Sequence, residues 1–357
     1  MKRKLRIAQI APLWFSIPPP KYGGIEKIAS FLTEELVKRG HEVTLFASGD
    51  SKTKANLVSV RPESLIKIGY NWQDPFWNLE NLSTAFSQAR NFDIIHSHLD
   101  LWTLPFLNLT DKPVLHTLHN QLYKASITRE GERKPTRLEI FERYKNETLA
   151  AFISKSERAN SAVKFKKSWV VYNGIDISQF RFNPKPKDHF VWIARIDPCK
   201  GIENAIKAVK IVNAKLLLAG RLDPQRKEYF VKKIKPHLSD KIKYLGELSQ
   251  EKLSNFYGSA IACLYPIEWE EPFGLVMAES MACGTPVIVF DRGSAKEVVA
   301  DGKTGFVVKN IEEMVKAMKK IDQIDRVACR QRVEKYFTYQ RMVDNYEKIY
   351  YSLSKPR

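Results

Sequence analysis

Strand-like and helix-like segments alternate along nearly the whole chain, and this confines it to an α/β architecture built on parallel sheets. The apolar run over 5–13, broken by Arg6 and Gln9, reads as a buried first strand over 5–12. A loop through Pro18-Pro19-Pro20 leads to Gly23-Gly24. Ile25, Ile28, Ala29, Leu32 and Leu36 then recur at helical spacing as far as Gly40. More strands are expected over 42–47, 93–98, 113–118, 150–154 and 169–172, with helices and long loops over 51–90 and 121–148. The pattern breaks at 176–188, where the stretch 182–188 is polar, proline-punctuated and suited to a linker. It restarts with strands expected over 190–196, 215–219, 242–245, 261–265, 286–290 and 305–308, and helices over 202–212 and 273–283.

A chain of 357 residues exceeds the size at which one hydrophobic core stops growing, so two domains are expected. The boundaries read as an N-terminal Rossmann-like domain over 1–177, a linker over 178–187 and a C-terminal Rossmann-like domain over 188–337. The expected fold class is α/β, with two doubly wound domains facing across a cleft. Ligands of such sheets bind beyond the carboxyl ends of the strands. A last helix within 338–357 presents Met342, Tyr346, Ile349, Tyr350 and Leu353 on one face.

Several classes are disfavoured. No stretch approaches the roughly 18 apolar residues of a membrane span. The N-terminal apolar run is too short and too polar for a signal peptide. The four cysteines (Cys199, Cys263, Cys283, Cys329) form no C-x-x-C pair and read as reduced, structural thiols of a cytoplasmic protein. The net charge of +18 is spread over both halves instead of forming a stripe, so no specific nucleic-acid partner is expected. Peripheral contact with an anionic membrane, at its inner face, and a polyanionic substrate are both compatible with that charge.

The residues richest in chemistry run from Glu271 to Glu279. Pro272 suits a first helical turn, which would leave the amides of Phe273, Gly274, Leu275 and Val276 free at a helix N-terminus to receive a phosphate. Glu279 lies deeper on an otherwise apolar segment, where an acid needs a partner such as a ribose diol; a solvated Glu279 is the plainer alternative. Arg195 closes an expected strand and Lys200-Gly201 opens the next helix, an arrangement able to clamp a diphosphate, although two ordinary surface cations would look the same. Gly23-Gly24 sits between the first strand and the first helix, fit either for a phosphate or for a plain turn. His96, His98, His116 and His119 end two expected strands. Zinc is disfavoured there because no acidic or Cys ligand accompanies them at ligand spacing, so no metal site is expected.

The string Glu271-Pro272-Phe273-Gly274-Leu275-Val276-Met277-Ala278-Glu279, continued to Gly284 and Pro286, resembles the E-x7-E signature of retaining glycosyltransferase family 4, whose members have the two-domain GT-B fold. The resemblance runs from about residue 5 to residue 353 and is weakest over 51–90 and 121–148. It implies sugar transfer from a nucleoside diphosphate sugar (UDP-, GDP- or ADP-linked) to a hydroxyl of a carbohydrate or lipid-linked acceptor, with no bound metal and no cofactor. By that resemblance Glu271 faces the transferred sugar and Glu279 holds the ribose. Phe273 to Val276 receive the sugar and the distal phosphate, and Arg195 and Lys200 neutralise the leaving diphosphate. Gly23-Gly24 closes on the phosphates, His98 contacts the sugar and His119 lies near the acceptor. The last helix is implied to cross back onto the N-terminal domain.

Overall fold

A computed structural model describes residues 3–21, 23–70, 75–122 and 135–354. The chain divides into two compact units, Met1–Gly174 with Tyr339–Arg357, and Ile175–Thr338. Each is a doubly wound parallel sheet flanked by helices.

The first unit holds seven strands: β1 (Arg6–Ile10), β2 (Glu42–Phe46), β3 (Asn56–Val58), β4 (Ile94–Ser97), β5 (Val114–Leu118), β6 (Leu149–Phe152) and β7 (Lys167–Val170). Their order is β3-β2-β1-β4-β5-β6-β7, all parallel, so the winding reverses between β1 and β4. The central strands are buried along nearly their whole length because both faces are covered. On one face, Ile10, Phe46 and Ile95 pack with Leu82 and Phe86 of a helix and with Phe92. Each such burial contributes about 1.5–3 kcal/mol.

Two helices are paired beside this sheet. Helix α1 (Gly24–Lys38) carries its apolar stripe of Ile28, Ala29, Leu32 and Leu36 inward. The C-terminal helix, here α6 (Tyr339–Leu353), lies against it. Phe31 stacks on Tyr339 with ring centroids 5.3 Å apart, Arg39 Nη1 bonds Asp344 at 2.8 Å, and His41 Nε2 lies 3.0 Å from Glu347. These contacts tie the last helix to the first unit.

The second unit holds β8 (His189–Ile193), β9 (Lys215–Ala219), β10 (Ile242–Tyr244), β11 (Cys263–Tyr265), β12 (Val287–Phe290) and β13 (Gly305–Val308), in the order β10-β9-β8-β11-β12-β13. Here the winding reverses between β8 and β11. The helices that matter for chemistry are α3 (Ile202–Ile211), α4 (Gln250–Gly258) and α5 (Leu275–Ala282); α2 (Phe76–Ser87) covers the first sheet.

Three local readings change. The segment over 51–90 contributes β3, a three-residue edge strand too short and too exposed to show a period. Helix α5 starts at Leu275, two residues later than its pattern suggested, because Gly274 at φ +77° turns the chain out of helical geometry. Pro272 therefore precedes the helix instead of opening it. The stretch 178–187 is held on the second unit: Arg326 donates to the carbonyls of Asn183, Gly258 and Ala260, and Arg330 to that of Phe180. Within 121–148, residues 123–134 lie outside the described residues, and a helix occupies Pro135–Arg143.

Candidate active site

Both sheets carry their chemistry-bearing residues at or beside the point where strand order reverses, the position at which doubly wound sheets bind ligands. In the second unit these residues follow β8 and β11; in the first they follow β1, β4 and β5.

Glu271 is the centre of the second unit's cluster. Its Oε2 accepts three hydrogen bonds, from Lys200 Nζ at 2.8 Å, Tyr265 Oη at 2.7 Å and Trp269 Nε1 at 3.0 Å. Among the described residues no donor reaches Oε1, so one carboxylate oxygen is held and the other is open. The Lys200 ammonium also lies 4.3 Å from the centre of the Trp269 ring, a cation–π contact. Burial, reinforced by the neighbouring Glu271 carboxylate, pushes the Tyr265 phenol well above its ordinary range, so it remains a donor.

Several close backbone contacts hold this arrangement. Gly201, at φ +69°, lies so near the end of β11 that a Cβ there would stand 1.7 Å from the Pro266 carbonyl oxygen. Glu268 N donates to Cys199 O at 2.9 Å, and Trp192 Nε1 donates to Lys200 O at 3.0 Å. These contacts bring Lys200 to Glu271 across 71 residues of sequence. On the other side, Ser294 N donates to Glu271 O at 2.9 Å, and Ser294 Oγ to Phe273 O at 2.8 Å. A Cβ on Gly274 would meet Met277 Cε at 2.6 Å and Glu271 Cγ at 3.1 Å. The residues from Phe273 to Val276 therefore form a clamped turn followed by the start of α5.

Glu279 is buried, one turn into α5, and accepts from Tyr257 Oη of α4 at 2.8 Å. The partner that an acid on an apolar segment requires is thus supplied within the protein. Arg195, just beyond β8, is part-exposed and lies 4.0 Å from Asp223, while Arg226 pairs with Asp197 at 3.1 Å. Lys200 and Arg195 share one loop but have different carboxylate neighbours, Glu271 and Asp223 respectively.

In the first unit Gly23 caps α1 and Gly24 begins it. Glu26, in the first turn, is buried with Oε1 lacking a hydrogen-bond partner among the described residues, and burial raises its carboxyl to about 8. His98 is buried, and both ring nitrogens are engaged: Nδ1 with His119 Nε2 at 2.9 Å, and Nε2 with Gln9 Oε1 at 3.3 Å. His96 is held by Tyr350 Oη at 2.6 Å and Thr117 Oγ1 at 2.7 Å. His116 is buried with neither nitrogen bonded among the described residues. Burial, with the neighbouring His96 and His119, lowers His98 well below the ordinary histidine range. Among the described residues no group of three or more His, Cys, Asp or Glu side chains could hold a metal ion.

The sequence reading missed Tyr265, Trp269, Tyr257, Gln9 and Tyr350. Aromatic residues at strand ends and on helices read as core, and nothing in one-dimensional spacing reveals which hydroxyl meets which carboxylate. The Trp269-Glu270-Glu271 run was the one local signal available.

Known proteins resemble this chain over both of its units. Residues 22–179 match the family described as Glycosyltransferase Family 4, and residues 175–336 match Glycosyl transferases group 1. A phosphatidyl-myo-inositol mannosyltransferase of Mycobacterium leprae is 25% identical over 324 residues, spanning 85% of this chain and 83% of the relative. The structure of sucrose-phosphate synthase from Thermosynechococcus elongatus superposes with a TM-score of 0.80 at 23% identity, covering 98% of this chain and 99% of that one. The Anabaena protein HepE in complex with UDP and glucose superposes with a TM-score of 0.75 at 17% identity, covering 98% and 100%. Among the described residues no helix is long and apolar enough to cross a membrane. The two matches together span residues 22–336, overlapping over 175–179 at the start of the second unit, and the chain is accordingly a glycosyltransferase with the GT-B fold.

Proposed function

We propose that the chain transfers a hexose from a nucleoside diphosphate sugar to a hydroxyl of a carbohydrate or lipid-linked acceptor, with retention at the anomeric carbon and without a bound metal. The observation that carries this reading is the Glu271 carboxylate, which has one oxygen fastened by Lys200, Tyr265 and Trp269 and the other open, at the switch point of the second sheet.

In this reading the open oxygen of Glu271 orients the sugar. The start of α5, with the amides of Phe273, Gly274, Leu275 and Val276, receives the phosphates, and Glu279 holds the ribose. Arg195 and Lys200 stabilise negative charge as the bond to the diphosphate breaks, and the departing phosphate oxygen takes the proton of the attacking hydroxyl. Lys200 is suited to this because its charge is already balanced by Glu271, so it stays in place before any phosphate arrives. Within the first unit, Gly23-Gly24 is suited to a phosphate, while His98 and His119 are assigned to a sugar and to the acceptor. The HepE complex with UDP and glucose supports a sugar-nucleotide ligand. The mycobacterial relative's name supports a lipid-linked acceptor for that protein and motivates the same class here. Peripheral contact with an anionic bilayer would accompany such an acceptor and use the +18 charge.

The test is incubation with UDP-, GDP- and ADP-sugars, scoring release of nucleoside diphosphate and reading the anomeric configuration of the product by NMR. Glu271→Ala and Arg195→Ala are each expected to abolish transfer. Near-parental turnover by either variant, or an inverted product, overturns the reading. Sedimentation with liposomes of graded anionic content tests the membrane contact.

A further inference from the structure

At one edge of the first sheet, β6 and β7 frame a groove of about 570 Å³, within the roughly 300–1,000 Å³ of clefts that hold small ligands. Its floor is apolar. Phe152 ends β6, Val170 ends β7, and Val163 and Phe165 come from the connection between them. The Phe165 ring lies 5.9 Å from those of Phe141 and Phe152, centroid to centroid, so the floor is continuous with the core of the unit. Its rim is cationic, with Lys155 and Arg158 on the short helix Lys155–Asn160 and Lys164 in the connection that follows. Lys164 Nζ donates to Ala159 O at 3.4 Å, which ties the two sides of the rim together.

No carboxylate lines this groove, and among the described residues none pairs with Arg158 or Lys164. Three other grooves carry a cation, and each has a carboxylate in its wall: Glu312 with Lys309, Glu139 and Glu142 with Arg143, and Glu251 with Arg181. The tract Lys164-Phe165-Lys166-Lys167 extends the positive charge to the start of β7. β7 pairs only with β6, but exposed lysines at the start of an edge strand deter a further strand from adding there, so a peptide is a poor occupant. A bare phosphate would answer the rim and leave the floor uncovered. A ligand that answers both has an anionic head and an apolar body. Lys and Arg suit such a ligand, because their apolar stems lie along hydrocarbon while their charged ends reach a layer of phosphates.

We propose that this groove seats the headgroup and upper chain of an anionic phospholipid, and is the surface by which the first unit docks on a bilayer. The proposal rests on the membrane contact of the transferase reading. It gives that contact a place whose lining shares no residue with the histidines that follow β4 and β5.

The test is sedimentation of the full chain with phosphatidylcholine vesicles carrying an increasing share of phosphatidylglycerol. Binding is expected to rise with that share. Arg158→Gln and Lys164→Gln are each expected to weaken it about fivefold, the contribution of one cation at an anionic surface. Ala159→Glu, which puts a carboxylate on the groove wall at an exposed helix position, should weaken it more than either. Lys207→Gln and Lys233→Gln, at exposed cations of the second unit, should leave it within about twofold if the groove and not the net charge holds the lipid. Equal loss in these second-unit variants, unmoved binding in all three groove variants, or equal binding to pure phosphatidylcholine overturns the proposal. So does full release from the vesicles by inorganic phosphate at constant ionic strength, which would mark the groove as a site for the free anion. Release of nucleoside diphosphate from UDP- and GDP-sugars with a soluble alkyl glycoside, measured on the same proteins, should stay within about twofold of the parent. A parent without transfer sinks the transferase reading and leaves the vesicle result standing. Groove variants that bind vesicles like the parent, with transfer intact, sink the groove alone.

Discussion

The ammonium of Lys200 and the carboxylate of Glu271 meet at 2.8 Å, with 15% and 9% of their side chains exposed. A pair so withdrawn from water is costly to break, since removing one partner strands the other's charge and costs about 3–5 kcal/mol. Lys200→Met and Glu271→Gln are each expected to lower the melting temperature of the second unit and to abolish transfer. The double variant should melt above the value expected from adding the two losses, with a coupling of about 1–3 kcal/mol in a thermal or denaturant cycle. Simple additivity would show that the pair contributes nothing.

Tyr265→Phe removes one of three donors to Glu271 Oε2 and leaves the ring in place. A hydrogen bond to a charged acceptor contributes about 1.5–3 kcal/mol. The expected result is a modest loss of stability with a kcat lowered about tenfold or more, because the carboxylate loses its fixed orientation. Steady-state kinetics and a denaturant titration on the same protein check both halves.

Gly201 and Gly246 have nearly the same backbone angle, φ +69° and +73°, but only Gly201 faces an obstacle, the Pro266 carbonyl. Alanine at either position incurs the left-handed penalty of about 1 kcal/mol. Gly201→Ala is expected to lose at least about 2 kcal/mol more than Gly246→Ala and to lose activity, because it pushes Lys200 away from Glu271. Equal melting temperatures for the two variants would contradict the close packing described at this turn.

Burial raises Glu26 to about 8, above its usual carboxylate range. The folded unit therefore binds a proton that the unfolded chain releases between about pH 4.5 and 8, and this term weakens the fold as pH rises through that window. Glu26→Gln is expected to match the parent near pH 5 and to melt higher at pH 8. A parallel pair of pH–melting curves would refute the assignment.

His116 responds in the opposite sense. Burial lowers it to about 3, so the unfolded chain takes up a proton as pH falls below about 6.5 while the folded unit does not. Its term is fully present above that pH and is lost progressively toward pH 3. His116→Leu removes two buried nitrogens that no described residue bonds and should flatten the acid limb of the melting curve, with a gain that grows down to about pH 3.

Most of the fold was legible because buried strands and amphipathic helices leave periodic apolar traces, as in the run before Gln9 and the stripe of α1. β3 left none, being three residues long at a sheet edge. The start of α5 was misplaced because a proline signal is local, whereas the decisive feature is the left-handed Gly274 set by packing against Met277 and Glu271. Within the candidate site, Glu271, Glu279, Arg195 and Lys200 stood out by spacing. Their protein partners did not, since Tyr265, Trp269 and Tyr257 carry no pattern that separates a hydrogen-bonding aromatic from a core one.

By itself the sequence determined the α/β class, the presence of two Rossmann-like halves and the identity of the acidic and basic residues that follow β8 and β11. Those are properties of periodicity and residue type, and they survive without coordinates. Tertiary structure alone decided that Lys200 answers Glu271 while Arg195 lies beside Asp223, and that Tyr350, 341 residues from Gln9 along the chain, meets the Gln9 amide at 3.0 Å. The physical reason is that hydrogen bonds and ion pairs depend on distances of a few ångströms and on which atom carries the proton. Parallel crossovers bring such atoms together from segments whose separation along the chain bears no relation to their separation in space.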